Sequence, residues 1–182
     1  VIRQAEKEYP DDPSLPAYRA QLSILIDDRA QVEEAIARAL SIDPDNPTAL
    51  EARSYFRSGI QSDMKGALAD TERATALAPG SASAWNSMGN IHSARGGTRE
   101  AEAAFKRSIE LEPTDPVSYA NLAILYLDQD RAAEAKVLID KALELDPAFE
   151  IALTARGRYY MQTGELDKAV NDLLAASTVS PA

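Results

Sequence analysis

Proline recurs through this chain on a fixed beat, at Pro10, Pro44, Pro79, Pro113, Pro147 and Pro181, spaced by 34, 35, 34, 34 and 34 residues. From Pro44 onward each closes a segment that reads as a helix end: ALSIDP, ATALAP, SIELEP, ALELDP and ASTVSP. Proline cannot donate the next backbone hydrogen bond and drives its predecessor out of the α region, so the chain must turn at each of these points. Ahead of the turn, apolar residues recur at helical spacing, as in Ala101, Phe105, Ser108 and Ile109, or Ala135, Ile139, Ala142 and Leu143. An earlier helix precedes each of these, marked in the middle unit by Trp85, Met88, Gly89 and His92 at i, i+3, i+4 and i+7. The period therefore predicts two helices per unit, and a unit of that size buries its apolar face only by leaning on its neighbours.

Within the period, large, small, aromatic, alanine, apolar and proline positions follow one another in a set order. They are Trp85, Met88, Gly89, His92, Ala101, Phe105, Ser108 and Pro113, then Tyr119, Leu122, Ala123, Tyr126, Ala135, Ile139, Ala142 and Pro147. A third set is Leu153, Gly157, Tyr160, Ala169, Leu173, Ala176 and Pro181. This order resembles the tetratricopeptide repeat, most specifically over 82–181. The resemblance implies an all-α fold: a right-handed α-solenoid (superhelix) of antiparallel helix pairs with about five repeats, over roughly 11–44, 45–79, 80–113, 114–147 and 148–181. Residues 1–10 read as the end of a preceding repeat's second helix, and no polar capping helix follows Pro181, so the chain is expected to be an excerpt of something longer. Gly89, Ala123 and Gly157, with Ala101, Ala135 and Ala169 opposite them, let the paired helices approach closely.

Local signals mark where the helices begin and end. Ser14 is expected to cap a helix that carries Pro16 in its first turn and the stripe Leu15, Tyr18, Leu22, Leu25 and Ile26, stopping near Asp27 and Asp28. Pro16 stands where later repeats have Trp85 or Tyr119, which leaves the register of the first repeat open. Glu34 with Arg38, and Glu102 with Lys106, are spaced as exposed i, i+4 pairs. Asn46 precedes Pro47 as a cap, and Asp115-Pro116 and Asp130 read as further helix starts. Gly96-Gly97 and Gly164 supply turns. In the second repeat Arg53 and Ser54 replace Met88 and Gly89 of the next; they read as drifted substitutions, and the extra residue of the 35-residue spacing falls in 58–63.

Several functions are excluded by what the chain lacks. There is no cysteine, hence no disulfide, thiol catalysis or zinc–thiolate site, although either a cytoplasmic or a periplasmic setting tolerates this, and localisation stays open. A net charge of −10 argues against nucleic-acid binding and permits a basic partner without demanding one. No apolar run is long enough for direct membrane insertion. The lone histidine, His92, lies on an apolar helix face without companions for a metal site or a catalytic triad, and Gly96-Gly97 lacks the lysine of a phosphate loop. No catalytic constellation, cofactor site or metal site is expected, so the chain reads as no enzyme.

What remains is the helix face beside the packing stripe, which in a tetratricopeptide superhelix lines the concave groove. It carries Ser83, Asn86, Ser87, Asn90 and Ser93 in the third repeat, and Thr48, Glu51, Ala52, Tyr55 and Ser58 in the second. The fourth repeat offers Val117, Ala120, Asn121, Ile124 and Leu127, and the fifth Ile151, Thr154, Ala155, Arg158 and Met161. A peptide-binding groove built around Tyr55, Asn86, Asn90, Asn121, Ile124, Leu127, Arg158 and Met161 is the leading expectation, its amides facing a peptide backbone and its apolar residues either taking side chains or packing within and between repeats. A clamp for a C-terminal carboxylate, as in some chaperone adaptors of this family, finds Asn90 and Asn121 in place but Asn86, Ile151 and Ala155 where cations belong. The alternative is a structural module that self-associates into a homo-oligomer through the uncapped last helix, where Leu166, Val170, Leu173, Leu174 and Val179 meet no further repeat. A third reading makes the chain the adaptor segment of a larger enzyme.

Overall fold

The computed structural model describes residues 1–25 and 28–179, so Ile26, Asp27 and Pro181, named above, lie outside the described residues, as do the side chains of Leu25 and Val179. Among the described residues the regular structure is helical throughout: α1 (Ile2–Glu8), α2 (Ser14–Leu25), α3 (Arg29–Ile42), α4 (Pro47–Gly59), α5 (Met64–Leu77), α6 (Ala82–Ala94), α7 (Thr98–Leu111), α8 (Pro116–Leu127), α9 (Ala132–Leu145), α10 (Glu150–Thr163) and α11 (Leu166–Val179). Successive helices pair as hairpins, α2 with α3, α4 with α5, α8 with α9 and α10 with α11, giving an all-α solenoid. The chain forms two compact units, Val1–Ile91 and His92–Ala182, whose boundary falls inside α6.

Capping explains most of the helix starts. The side chains of Asn46, Asp63 and Asp115 accept hydrogen bonds from the backbone N–H groups of Ala49 (2.9 Å), Gly66 (2.9 Å) and Val117 (3.0 Å), each satisfying a donor that the first helical turn leaves open. Two expected caps fail. Ser14 is already inside α2, and it is Asp12 that accepts from the Ser14 N–H at 2.9 Å. Asp130 adopts a left-handed backbone (φ 57°) and leaves Arg131 at the cap of α9 without a side-chain bond. Gly96 (φ 77°) and Gly164 (φ 82°) make left-handed turns, for which glycine carries no Cβ penalty.

In the first unit Val32, Ala35 and Ile36 of α3 pack with Ala20 of α2 and Ala52 and Phe56 of α4, while Leu50, Ala74 and Ala84 form a neighbouring cluster. Burying a side chain such as Phe56 or Leu50 stabilises the fold by about 2 kcal/mol. The extra residue of the second repeat sits between Gly59 and Met64, where four residues join the helices and Ser62 takes a positive φ of 54°. Ser54 and Arg53 are more than drift. The Ser54 hydroxyl donates to the Ala67 carbonyl at 2.9 Å, and the Arg53 guanidinium grips buried Asp70 through Nε (2.8 Å) and Nη2 (2.6 Å) while Arg57 adds a contact at 2.7 Å. The expected Glu34–Arg38 pair is also rearranged: Glu34 accepts from Arg19 at 3.2 Å and Arg38 donates to the Pro10 carbonyl at 2.6 Å, both long-range partners that win over the helix neighbour.

The second unit centres on Phe105, Leu122, Ala123, Ile139 and Leu153, all buried. Glu102 joins three helices there. Its carboxylate accepts from Lys106 (2.6 Å), the Tyr126 hydroxyl (2.9 Å) and Arg131 (2.9 Å), and the Arg131 guanidinium lies 3.7 Å from the centroid of the Tyr126 ring. These donors, Lys106 foremost, hold the Glu102 carboxyl at about 2 against an ordinary 4.5.

Candidate functional site

In the first unit the candidate face is built by three first helices. Gln21 and Ile24 of α2, Glu51, Ala52 and Tyr55 of α4, and Ser83 and Ser87 of α6 line one shallow depression. A second small hollow beside it is lined by Ser54, Tyr55, Ser58, Ser87, Asn90 and Ile91. Tyr55 therefore belongs to both, the residue being 59% exposed, and Asn90 is exposed next to it. Asn86 is half-buried on the same helix. The helix that carries Ser83 is anchored by the indole N–H of Trp85, which donates to the Pro79 carbonyl at 3.0 Å; Tyr119 makes the matching bond to Pro113 at 3.2 Å in the next repeat.

Glu51 gives this face its electrostatic character. Its Oε2 accepts from the Ser83 hydroxyl at 2.5 Å and its Oε1 from the Ser81 hydroxyl at 3.3 Å. Burial pushes its pKa up, and the two serine hydroxyls only partly offset that.

In the second unit the expected residues divide. Leu127 is 1% exposed and Ile124 is half-buried against the same core, so Leu127 is a packing residue and not a surface contact. The reason is the register: the final turn of α8 faces the hairpin core, and the Leu127 carbonyl is itself bonded by Gln162 at 3.0 Å. Asn121 is half-buried. Arg158 is held in an ion pair with Asp128, which occupies it on the surface. Met161 stays exposed at 55% and Ile151 at 36%.

Sequence reasoning left out Gln21 and Ile24, because no groove face was assigned to the irregular first repeat. The information was present, since Gln21 stands one period before Tyr55. His92 is half-buried and its carbonyl accepts from the Gly97 N–H at 2.8 Å. Among the described residues no group of His, Asp or Glu is arranged to hold a metal ion, and no helix is long and apolar enough to cross a membrane.

Family models of the tetratricopeptide repeat match residues 82–115 and 152–182, and a related one matches 104–137. The chain belongs to the tetratricopeptide-repeat family. Human mitochondrial import receptor subunit TOM70 is 25% identical to it over 175 residues, 89% of this chain but 28% of that protein, so the chain spans little more than a quarter of this relative. TTC0263, a thermophilic tetratricopeptide-repeat protein of Thermus thermophilus, superposes with a TM-score of 0.82 at 16% identity, covering 93% of this chain and 92% of the other. YrrB, described as a tetratricopeptide-repeat protein with an unusual peptide-binding site, superposes with a TM-score of 0.62 at 18% identity over 100% of this chain and 93% of its own. At such identities these structures speak for the fold. Tetratricopeptide-repeat proteins typically mediate protein–protein interaction and are generally non-catalytic.

Proposed function

We propose that this tetratricopeptide-repeat chain is a non-catalytic interaction module that holds an extended peptide or a helix of a partner protein on the inner face of its first helices. The observation that carries the reading is the depression shared by α2, α4 and α6, where hydroxyl and amide groups stand beside the exposed Tyr55 ring. Such a surface offers hydrogen bonds to a peptide backbone and an aromatic platform to its side chains. Asn86 and Asn90 extend this face in the first unit. In the second unit Asn121, Ile124, Arg158 and Met161 are proposed for the same role on its own first helices. The peptide-binding site described for YrrB supports the reading by family analogy.

The test is selection of a phage-displayed random octapeptide library on the purified protein. A family of related peptides should emerge, and Tyr55→Ala combined with Asn90→Ala should weaken their binding about tenfold, the size of a lost interface anchor. Both side chains are exposed, so helical circular dichroism and Tm should hold. Failure to select any peptide family, or indifference to both substitutions, would end this reading.

A second reading rests on α11. Leu166, Val170 and Leu174 recur at i, i+4 and i+8 and are 63%, 55% and 60% exposed, a row that a second copy of the chain would cover. Light scattering should then show dimers at micromolar concentration, and Leu166→Lys with Leu174→Lys should return the monomer. A monomer throughout would remove self-association.

A further inference from the structure

The unpaired charge of Glu51 says what kind of peptide the first unit should prefer. Three other carboxylates at the helix pairings are answered by cations: Asp70 by Arg53 and Arg57, Asp172 by Arg156, Glu102 by Lys106 and Arg131. Glu51 is answered by two neutral hydroxyls, and no ammonium or guanidinium among the described residues comes within ion-pair distance of it. A carboxylate has about four acceptor positions, so two serine donors leave room for a further charged donor. Burial has already removed part of its water, which strengthens whatever cation arrives. Its place in the floor of the depression, between Gln21 and Ile24 on one side and Ser83 and Ser87 on the other, makes it reachable from outside.

We propose that the depression of the first unit is a receptor for one lysine or arginine side chain of an extended peptide, with Glu51 as the counter-charge and the exposed Tyr55 ring and Ile24 covering the aliphatic stem. The inference rests on the peptide-binding reading given above. Three observations fit this ligand. A guanidinium or ammonium completes the acceptor set of Glu51 with a charge-assisted hydrogen bond. The Tyr55 face suits both a cation and the methylene stem behind it. The net charge of −10 draws basic segments to the chain before contact. Next to the depression lies a mostly apolar hollow lined by Ile24, Val32, Tyr55 and Ile60 with Arg29 at its edge. Peptides with an apolar residue close to the basic one should therefore be favoured, and a second basic residue in that hollow disfavoured.

The same octapeptide selection tests the claim, and its outcomes separate the two readings. The expected result is a selected family with lysine or arginine at one fixed position. Members of that family should bind Glu51→Gln about tenfold more weakly, as loss of one charge-assisted contact implies, and should fail when the basic residue is replaced by glutamate. Glu51→Lys supplies an independent arm: selection on this variant should return an acidic residue at that position. A selected family without a fixed basic position, or one bound equally by wild type and Glu51→Gln, overturns the basic-side-chain receptor while leaving peptide binding intact. No selected family at all overturns both. Circular dichroism of each variant checks the fold, and the charge-swapped selection decides the matter even where Glu51→Gln alters stability.

Discussion

Arg156 and Asp172 join α10 to α11 through two parallel hydrogen bonds, each 2.7 Å, in the same register in which Arg53 and Asp70 join α4 to α5. In the fourth repeat the two places are held by Leu122 and Leu138, both in or against the apolar core. One hairpin geometry thus accepts either a bidentate ion pair or a pair of leucines. The ion pair is not a large net stabiliser, since its desolvation offsets much of its attraction, but half of it is costly to leave behind.

Asp172→Ala should therefore destabilise the protein by about 2 kcal/mol, below the figure for a fully buried pair because Arg156 still reaches water. For a chain of this size that lowers Tm by about 6 °C. Copying the fourth repeat with Arg156→Leu and Asp172→Leu should recover most of the loss. Differential scanning calorimetry of the two variants checks it, and a double variant no better than the single one would show that the ion pair is required.

Glu102 should make stability depend on acid. Its folded pKa of about 2 lies below the ordinary 4.5, so the charged form is favoured by folding and the contribution is fully present above pH 4.5. As pH falls from 4.5 toward 2, folded and unfolded states become equally protonated and the contribution disappears. The Tm difference between wild type and Glu102→Gln should accordingly be constant from pH 7 to 5 and shrink steadily below 4.5. Melting curves across that range measure it directly, and a pH-independent difference would contradict the network.

The proline beat and the apolar spacing made the helix hairpins legible, because both are properties of one chain segment at a time. The second helices marked by Ala101 and Phe105, by Ala135 and Ile139, and by Ala169 and Leu173 appear as α7 at Thr98–Leu111, α9 at Ala132–Leu145 and α11 at Leu166–Val179. Partner choice was not legible. Glu34 and Arg38 are one turn apart, yet each found a partner on another element, and Arg53 looked like drift until Asp70 was brought beneath it. Leu127 was misplaced because helical spacing gives a direction around the axis but not which neighbour fills it. Glu51 was visible as a face residue, whereas its burial and its serine partners depend on how α4 and α6 pack.

Gly157 sets how close α11 lies to α10. A methyl group built there would stand 2.9 Å from Cγ and 3.0 Å from Cδ2 of Leu173, and 3.5 Å from the Ala169 carbonyl oxygen. Leu173 is 37% exposed and can turn away. Gly157→Ala should thus change stability little, since the helix propensity gain of about 1 kcal/mol is offset by a displaced rotamer of about the same cost. Gly157→Val has two further carbons to place and should lose about 2 kcal/mol, read as a drop of about 5 °C in Tm. Equal melting of all three proteins would show that the helices are not in close contact at this point.

Glu51 should behave oppositely to Glu102. Burial raises its folded pKa above the ordinary 4.5, so the folded state holds its proton more tightly than the unfolded state does. Stability at this position is greatest below pH 4.5 and declines as pH rises through the folded pKa, leaving a standing cost at neutral pH. Removing the charge should remove that cost, because a glutamine amide still bonds the Ser81 and Ser83 hydroxyls without a desolvated anion. Glu51→Gln is therefore expected to melt higher than wild type at pH 7, with the gap closing below pH 4.5. A basic peptide bound to the wild type should narrow the gap by stabilising the ionised carboxylate, and at the same concentration should raise the melting of the variant less. A Glu51→Gln protein that melts lower than wild type at pH 7 would mean that the carboxylate is satisfied within the fold and has no charge to offer a partner.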